Sequence, residues 1–352
     1  MVTRINLALQ GGGAHGAFTW GVLDRLLDEE EIEVAGISGT SAGALNGAAY
    51  KAGWVRGGRE GARDTLNALW ARMGAVSDMR LPAWMTPAAT AFQSLFTPAA
   101  ADVARAMAFS PPKLAADMMK GITSPYTYGP FYQNPLEPVV RQFDYDSVCA
   151  QEGPRLFICA TNVRTGKVRI FTRREISTES ILASACLPTL FQAVEIDDPA
   201  TGRREAYWDG GYSGNPALFP LFDPELPDDV VIVNINPLER DEIPMTPQQI
   251  ENRMNEISFN SSLLRELRAI AFVQRLLERH QVPQGTMKHV LVHMIADDAM
   301  MRDLSVVTKS LPNPILLGQL KVAGRQAADQ FLTAHRDQIG QASSMDLTSL
   351  LN

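Results

Sequence analysis

The first fifty residues alternate short apolar runs with a segment in which apolar residues recur every three or four positions. Residues 6–10 and 33–38 are short runs that each lead into a glycine-rich stretch. Between them, Phe18, Val22 and Leu26 recur at the spacing of one helical face. Strand, glycine turn and helix in repeated order are typical of a mostly parallel sheet covered by helices. The pattern therefore predicts an α/β fold.

The rest of the chain extends this organisation. A helix over 44–51 should end at Gly53, because glycine is a common helix stop. Residues 168–172 should form the hairpin partner of a strand over 156–160, across a polar turn. Further helices are predicted over 59–73, 136–143, 179–186, 247–279 and 314–338, and further strands over 194–196, 205–208, 230–235 and 290–295. We expect one domain over 1–340 and a C-terminal tail over 341–352.

Residues 74–133 differ in composition from the rest of the chain. They are rich in Met, Ala, Phe and Pro, with few charges and no strand pattern. We interpret them as a helical, apolar insertion into the sheet domain. Thioethers and aromatic rings suit a cap or lid that receives acyl chains or enters a lipid interface, but the same residues also suit static packing or a subunit contact. The sequence leaves both interpretations open.

The overall composition excludes several classes of protein. The chain has 352 residues, of which 45% are hydrophobic and 20% are charged. These proportions exclude disorder, collagen and coiled coil. The formal charge is -7 and no basic block is present, so nucleic acid is not an expected partner.

The polar and sulfur-containing residues predict no metal or cofactor. Cys149, Cys159 and Cys186 form no CxxC pair, so neither a disulfide framework nor a zinc site is expected and a reducing compartment fits. The acidic pairs at 197–198, 228–229 and 297–298 are interpreted as solvated turns. The first apolar run is too short for a signal peptide, and prolines or glycines interrupt the longest uncharged runs. We expect no signal peptide and no transmembrane segment, and a cytoplasmic or peripheral membrane location.

The strongest chemical motif is the GxSxG sequence from Gly39 to Gly43, placed between a predicted strand and a predicted helix. Glycines at both flanks let the chain turn sharply, so the Ser41 hydroxyl would project above the sheet edge. The amino end of the next helix would face that oxygen. The alternative is a glycine-rich helix start with Ser41 as an ordinary N-cap.

A second glycine motif, Gly11-Gly12-Gly13-Ala14-His15-Gly16, also lies between a strand and a helix. Consecutive glycines allow backbone N–H groups to converge on an oxyanion, although a simple turn would use them too. The motif also fits the dinucleotide pattern GxGxxG. That alternative is disfavoured because the second strand ends in Ile37-Ser38 and not in the acidic residue that would hold a ribose.

The third motif, Asp209-Gly210-Gly211, follows a predicted strand. A surface turn is the simplest interpretation, but a carboxylate there could also act as the base for Ser41. His280, His289, His293 and His335 all follow Asp209 and would complete a Ser-Asp-His order. That order is typical of α/β-hydrolases, in which several strands precede the serine. Here only two predicted strands precede Ser41, so we expect a Ser-Asp dyad without histidine.

Together these motifs resemble the patatin-like phospholipase family, which has GGGxxG after the first strand, GTSAG after the second and a distal DGG. Residues 183–188 (ASACLP), Phe191 and the Asn215-Pro216 pair extend the likeness, which covers about 6–73 and 134–237. The resemblance implies a three-layer α/β/α core and calcium-independent lipid acyl hydrolysis. Many relatives have arginine where this chain has His15.

By position, the resemblance makes Ser41 the nucleophile and Asp209 the base. It makes Gly11, Gly12 and Gly13 the oxyanion hole, and it gives Gly39, Gly43, Gly210 and Gly211 supporting roles. The implied function is hydrolysis of carboxylic esters of lipids, of the phospholipase A or lysophospholipase type, by a Ser-Asp dyad through an acyl-enzyme. The alternatives are hydrolysis of acylglycerols, thioesters or polyesters, or an idle lipid-binding scaffold on the same fold. The expected partner is a lipid or other acyl ester, with contact to a membrane surface allowed, and no oligomeric state is predicted.

Overall fold

The computed structural model describes residues 2–76, 124–283, 285–304, 308–309 and 312–351. The strands are β1 (Thr3–Leu9), β2 (Ile32–Thr40), β3 (Arg155–Asn162), β4 (Val168–Thr172), β5 (Val194–Asp198), β6 (Arg203–Asp209), β7 (Asp229–Val233) and β8 (Leu291–Ile295). The helices are α1 (Gly16–Leu26), α2 (Ala42–Gly74), α3 (Glu137–Val140), α4 (Tyr145–Cys149), α5 (Thr178–Ser184), α6 (Pro247–Glu278), α7 (Asp298–Asp303), α8 (Pro314–His335) and α9 (Leu347–Leu351).

All eight strands belong to one sheet, in the order β5-β6-β3-β2-β1-β7-β8, with β4 paired to β3. The pairs from β3 through β2, β1 and β7 to β8 are parallel, whereas β4, β5 and β6 join in antiparallel pairs. The prediction of a mostly parallel α/β sheet is confirmed. The hairpin predicted between β3 and β4 is also present.

Helices cover both faces of the sheet because successive strand residues point to opposite sides. In β1, Leu7 and Leu9 pack with helices α1, α2, α5 and α8 on one face. The intervening Ala8 packs on the other face, where Leu263 of α6 and Leu347 of α9 lie. The expected three-layer α/β/α architecture is therefore confirmed.

Helices α1 and α8 pack so closely that their backbones meet. A Cβ atom built on Gly21 would lie 2.0 Å from the Lys321 carbonyl oxygen, and one built on Gly324 would lie 2.0 Å from that of Phe18. Beside this contact, Asp24 of α1 accepts from Arg63 at 2.6 Å and from Arg325 at 2.5 Å. The late helix α8 is thereby fixed against the first helix of the chain.

The predicted helix stop at Gly53 is wrong, because α2 continues to Gly74. Its kink lies at Gly57 and Gly58, the latter with φ of 60°. After the kink, the second half of α2 passes directly over Gly53, where a Cβ atom would lie 2.1 Å from the Gly61 carbonyl oxygen. Glycine is thus needed at position 53 because the second half of α2 packs directly against it, and not because the helix ends there. The helix predicted over 136–143 is shorter than expected and spans Glu137–Val140.

Residues 341–351 contact β8 and the layer of helix α6. The amide of Val292 in β8 donates to Ser343 Oγ at 3.0 Å, and the Met345 amide donates to the Val292 carbonyl at 3.3 Å. Leu347 is buried among the residues of the α6 face.

Most of the insertion expected over 74–133 lies outside the described residues, at 77–123. Its described ends are the last turns of α2 and a 3₁₀ segment over Pro125–Phe131. None of the helices in the described ranges is long and apolar enough to cross a membrane.

Candidate active site

Two strand ends meet at one edge of β3 and bring Ser41 and Asp209 together. Strand β4 pairs with one edge of β3. On the other edge of β3, β2 pairs in parallel with the first part of the strand, and β6 pairs antiparallel with the last part. Thr40 lies opposite Cys159, and Asp209 lies opposite the next residue, Ala160. Ser41, which follows Thr40, and Asp209 therefore face each other across the junction of β2 and β6, although they are far apart in sequence.

Ser41 occupies a strained turn between β2 and α2. Its backbone φ is 53° and ψ is -119°, a conformation that few residues other than glycine adopt. The Ser41 amide donates to Ser184 Oγ at 2.9 Å, and that hydroxyl donates to the Cys159 carbonyl at 2.6 Å. The Ser41 side chain makes no capping hydrogen bond to α2, so the ordinary N-cap interpretation is wrong and the hydroxyl is available for chemistry.

This turn requires glycine at positions 39 and 43, because neither position has room for a Cβ atom. A Cβ atom at Gly43 would lie 2.1 Å from the Leu9 carbonyl oxygen, and one at Gly39 would lie 2.5 Å from the Gly43 carbonyl oxygen. Helix α2 therefore begins in direct backbone contact with β1 and β2, which fixes the position of Ser41.

Asp209 ends β6 in a fully buried position, with only 1% of its surface exposed. Its Oδ1 accepts a hydrogen bond from the Gly211 amide at 2.8 Å, whereas Oδ2 has no hydrogen-bond partner among the described residues. Burial raises the pKa of Asp209 to about 7, and the Gly211 amide and the nearby Ser41 hydroxyl act in the opposite direction. Within the described ranges, the backbone thus fixes one carboxylate oxygen, and the other accepts no hydrogen bond.

Gly210 and Gly211 let the chain turn tightly behind the carboxylate. A Cβ atom at Gly210 would lie 2.2 Å from the Cys159 carbonyl oxygen and 3.0 Å from Thr40 Cγ2. At Gly211 a Cβ atom would lie 2.7 Å from the Phe259 ring of α6. The Gly210 contact confirms that the ends of β2 and β6 touch, and the Gly211 contact shows that α6 supports the turn.

The glycine loop after β1 lies against Ser41. A Cβ atom at Gly11 would lie 2.6 Å from Ser41 Cβ. The Gly11 amide donates to Asn215 Oδ1 at 2.7 Å. The amides of Gly12 and Gly13 have no acceptor within the described part of the chain.

A buried polar network that the motifs did not reveal holds the glycine loop in place. Asn236 Nδ2 donates to the Gly11 carbonyl at 2.8 Å, and Lys309 Nζ donates to Asn236 Oδ1 at 3.1 Å. Lys309 also lies 3.7 Å from Glu256, which Arg240 binds through two contacts of 2.8 Å. The only sequence signal for this network was the Asn215-Pro216 pair after the DGG, since the other residues lie in segments without a motif.

The His15 ring is buried beside this network. Its Nε2 lies 2.8 Å from Thr308 Oγ1, and its Nδ1 has no partner among the described residues. Burial, with the nearby cations Lys309 and Arg240, lowers the pKa of His15 well below its ordinary value.

The histidines that follow Asp209 lie away from Ser41 or at the protein surface. His293 is inside β8, where Nε2 is 3.0 Å from Asp229 Oδ1 and Nδ1 is 3.0 Å from Ser344 Oγ. Asp229 is the first residue of β7, so this group lies towards the opposite end of the sheet from Ser41. His280 lies at the exposed end of α6.

Two aspartates interpreted as solvated are buried instead. Arg169 binds Asp198 at 2.7 Å, and the Tyr207 hydroxyl also donates to it. The Arg169 guanidinium lowers the pKa of Asp198 to about 2. Asp229 is buried with His293. Both carboxylates have protein partners, and no group of three metal-ligating side chains occurs within the described ranges.

Comparison with known proteins identifies the family. The family model of patatin-like phospholipases matches residues 7–222. Among solved structures, VipD from Legionella pneumophila is similar with a TM-score of 0.41 and 14% sequence identity, and the match covers 94% of this chain and 67% of that chain. No curated protein sequence matches significantly. The family model spans more than half of the chain, and the chain belongs to the patatin-like phospholipase family.

Proposed function

We propose that this protein is a serine lipid acyl hydrolase in which Ser41 and Asp209 form the catalytic dyad. Family membership supports lipid acyl hydrolysis in general terms. The observation that carries the finer proposal is Asp209 Oδ2, buried and without a hydrogen-bond partner among the described residues, beside a serine at positive φ where β2 and β6 meet. A free carboxylate oxygen next to a strained serine hydroxyl is the arrangement that proton transfer requires.

In the first half-reaction, Asp209 takes the proton from Ser41 Oγ as this oxygen attacks the acyl carbonyl carbon. The bond to the leaving oxygen then breaks, and the leaving alcohol receives the proton from Asp209. The acyl group stays on Ser41 as an ester. A pKa of about 7 suits Asp209 to both tasks, because the group accepts and returns a proton near neutral pH.

In the second half-reaction, water replaces the alcohol. Asp209 takes a proton from the water, the resulting hydroxide attacks the acyl carbonyl, and Ser41 Oγ leaves and regains the proton. The fatty acid is released and the enzyme returns to its starting state. No further reactant is needed.

The oxyanion formed in both steps is assigned to the amides of Gly12 and Gly13 and to the amino end of α2. Gly11 takes a positioning role, because Asn215 already accepts its N–H. Loss of one oxyanion donor typically costs about 3 kcal/mol of transition-state stabilisation. The substrate is a carboxylic ester of a lipid, and intact Ser41 and Asp209 weigh against an idle scaffold.

Labelling by a fluorophosphonate probe, together with hydrolysis of a chromogenic short-chain ester, tests this proposal. Ser41→Ala should abolish both signals, and Asp209→Asn should slow them at least about 100-fold, the usual contribution of a general base. Ser177→Ala is the matched control, because Ser177 also precedes a helix but caps it conventionally, accepting from the Ser180 amide at 3.3 Å. Asp197→Asn is the control for the carboxylate.

Retention of labelling in Ser41→Ala, or full activity in Asp209→Asn, would refute the dyad. His280→Ala and His335→Ala should leave labelling unchanged. A loss of labelling in either histidine variant, with the fold preserved, would restore a triad.

A further inference from the structure

The outward face of helix α6 combines an apolar stripe with a row of arginines. The apolar residues Ile250, Met254 and Ile257 are 44%, 65% and 54% exposed. Continuing at helical spacing along the same face, the next positions are Ser261, Arg265, Arg268, Phe272 and Arg275. None of these positions carries Asp or Glu. Soluble proteins rarely place such a run of large apolar groups in water without an interaction to serve.

The opposite face of α6 supports the candidate active site. Phe259 contacts the turn at Gly211, and the Asn215 amide donates to Ser262 Oγ at 3.1 Å. Towards the end of α6, Gln274 Nε2 donates to the Val290 carbonyl at 2.8 Å, just before β8 begins. The helix thus runs antiparallel to the parallel strands, and its apolar stripe lies at the end that holds Ser41 and Asp209.

The apolar stripe extends beyond the helix itself. Ile243 and Met245, just before α6, are 80% and 81% exposed. They lie at the same end of the helix as Ile250. The exposed apolar groups are therefore concentrated near the active site, and the arginines follow further along.

The guanidinium groups of this face are exposed, and Arg265 uses its Nε to donate to the Ser261 carbonyl at 3.2 Å. Within the described ranges, Arg265, Arg268 and Arg275 make no ion pair with a carboxylate. Other arginines of the protein are paired, as with Arg63 and Arg325 on Asp24. Because the chain as a whole has a formal charge of -7, three arginines on helical positions that carry no acidic residue are a local exception with a specific electrostatic preference.

We propose that the outward face of α6 docks the protein on an anionic phospholipid bilayer. The apolar side chains from Ile243 to Ile257 enter the interface, and the guanidinium groups of Arg265, Arg268 and Arg275 bind lipid phosphates. Docking would place the site near its lipid supply, so the purpose of this surface rests on the proposed function. Helix α6 lies beyond the residues that the family model matches.

A second copy of the chain fits this face less well. In a two-fold contact the same face would meet itself, which places rows of arginines from both copies together. A bilayer with anionic head groups complements both the apolar and the basic part of the face.

Vesicle flotation with the full-length Ser41→Ala protein tests the proposal without any need for catalysis. Binding is compared between phosphatidylcholine vesicles and vesicles containing 7 parts phosphatidylcholine to about 3 parts phosphatidylglycerol, a mixture chosen to give the anionic surface charge that attracts basic residues. The variants are Arg265→Gln with Arg268→Gln, and Ile250→Asn with Met254→Asn. Matched controls are Arg4→Gln with Arg203→Gln, and Ile315→Asn with Val322→Asn on the exposed surface of α8.

We expect binding to the anionic vesicles that falls about 30-fold in the arginine variant, which corresponds to about 1 kcal/mol for each of the two residues. The Ile250 and Met254 variant should lose at least about tenfold, since both apolar groups leave the interface. The controls should bind like the parent protein. In the wild-type Ser41 background, all these variants should hydrolyse a soluble short-chain ester at the parent rate.

Equal binding by the variants and their controls would overturn the proposal, as would no binding of the parent to either vesicle. A dimer that dissociates in the Ile250 and Met254 variant, with no vesicle binding, would assign the face to a second copy instead. Failure of the proposed function would appear separately, as a lack of ester hydrolysis and probe labelling in the wild-type protein.

Discussion

Replacing Asp209 with asparagine should change how the stability of the protein depends on pH. Burial raises the pKa of Asp209 from its ordinary value of 3.8 to about 7. The folded protein therefore holds this proton more tightly than the unfolded chain. A group of this kind contributes stability that is fully present below about pH 4 and is lost as the pH rises through about 7.

The magnitude follows from the distance between the two pKa values. About three pH units at about 1.4 kcal/mol each amount to roughly 4 kcal/mol, of which roughly 2.5 kcal/mol falls between pH 5 and pH 8. Asparagine carries no charge at any of these pH values and can still accept from the Gly211 amide. The variant should therefore gain roughly 2.5 kcal/mol on the wild type between pH 5 and pH 8.

Urea denaturation of both proteins at pH 5, 6, 7 and 8 measures this difference, with Asp197→Asn as the exposed control. Glu266, whose pKa burial also raises to about 7, is present in both proteins and cancels from the comparison. A stability difference that stays constant over this pH range would refute the reasoning, because it would mean that the carboxylate pays no desolvation penalty in the fold.

Three other predictions concern the same site. The acid limb of the kcat/KM profile for a soluble ester should have an apparent pKa near 7, following Asp209, and a limb near 4 would contradict a buried base. Gly43→Ala should destabilise and inactivate the protein because its Cβ atom would lie 2.1 Å from the Leu9 carbonyl oxygen, whereas Gly318→Ala, with open space around it, should keep activity and raise Tm slightly. Asn215→Ala should lower kcat about tenfold or more with little change in KM, because the Gly11 amide loses its acceptor; an unchanged kcat in steady-state assays would remove Asn215 from the positioning network.

Local sequence patterns were enough to predict the parallel sheet and the turns that carry the glycine motifs. The runs around Ser41 and the glycine loop, with the hairpin of β3 and β4, follow from periodicity and glycine placement over a few residues. Gly53 shows where this logic fails. A glycine that ends a helix and a glycine that a neighbouring helix crosses look alike in sequence, and only the kink at Gly57 and Gly58 distinguishes them.

The parts of the site that sequence did not predict depend on distant contacts. The alternation of apolar and polar residues in β6 does not predict that the end of β6 meets the end of β2 on one edge of β3. Likewise, Glu256 and Lys309 have ordinary sequence surroundings, and their link to the glycine loop exists only because α6 lies beside it. The turn-like sequence around Asp198 predicts a solvated carboxylate, because nothing local indicates that Arg169 of another strand will bind it.

The contact between α1 and α8 means that the region matched by the family model, residues 7–222, is smaller than the part of the chain that packs as one domain. A truncation at residue 222 would keep every motif shared with the family but would remove β7 from the side of β1 and α8 from the surface of α1. Strand β1 would become an open edge, and the surface of α1 around Gly21 would face water. Expression of the matched region alone should therefore give aggregated protein, and boundaries for cloning should follow the packing.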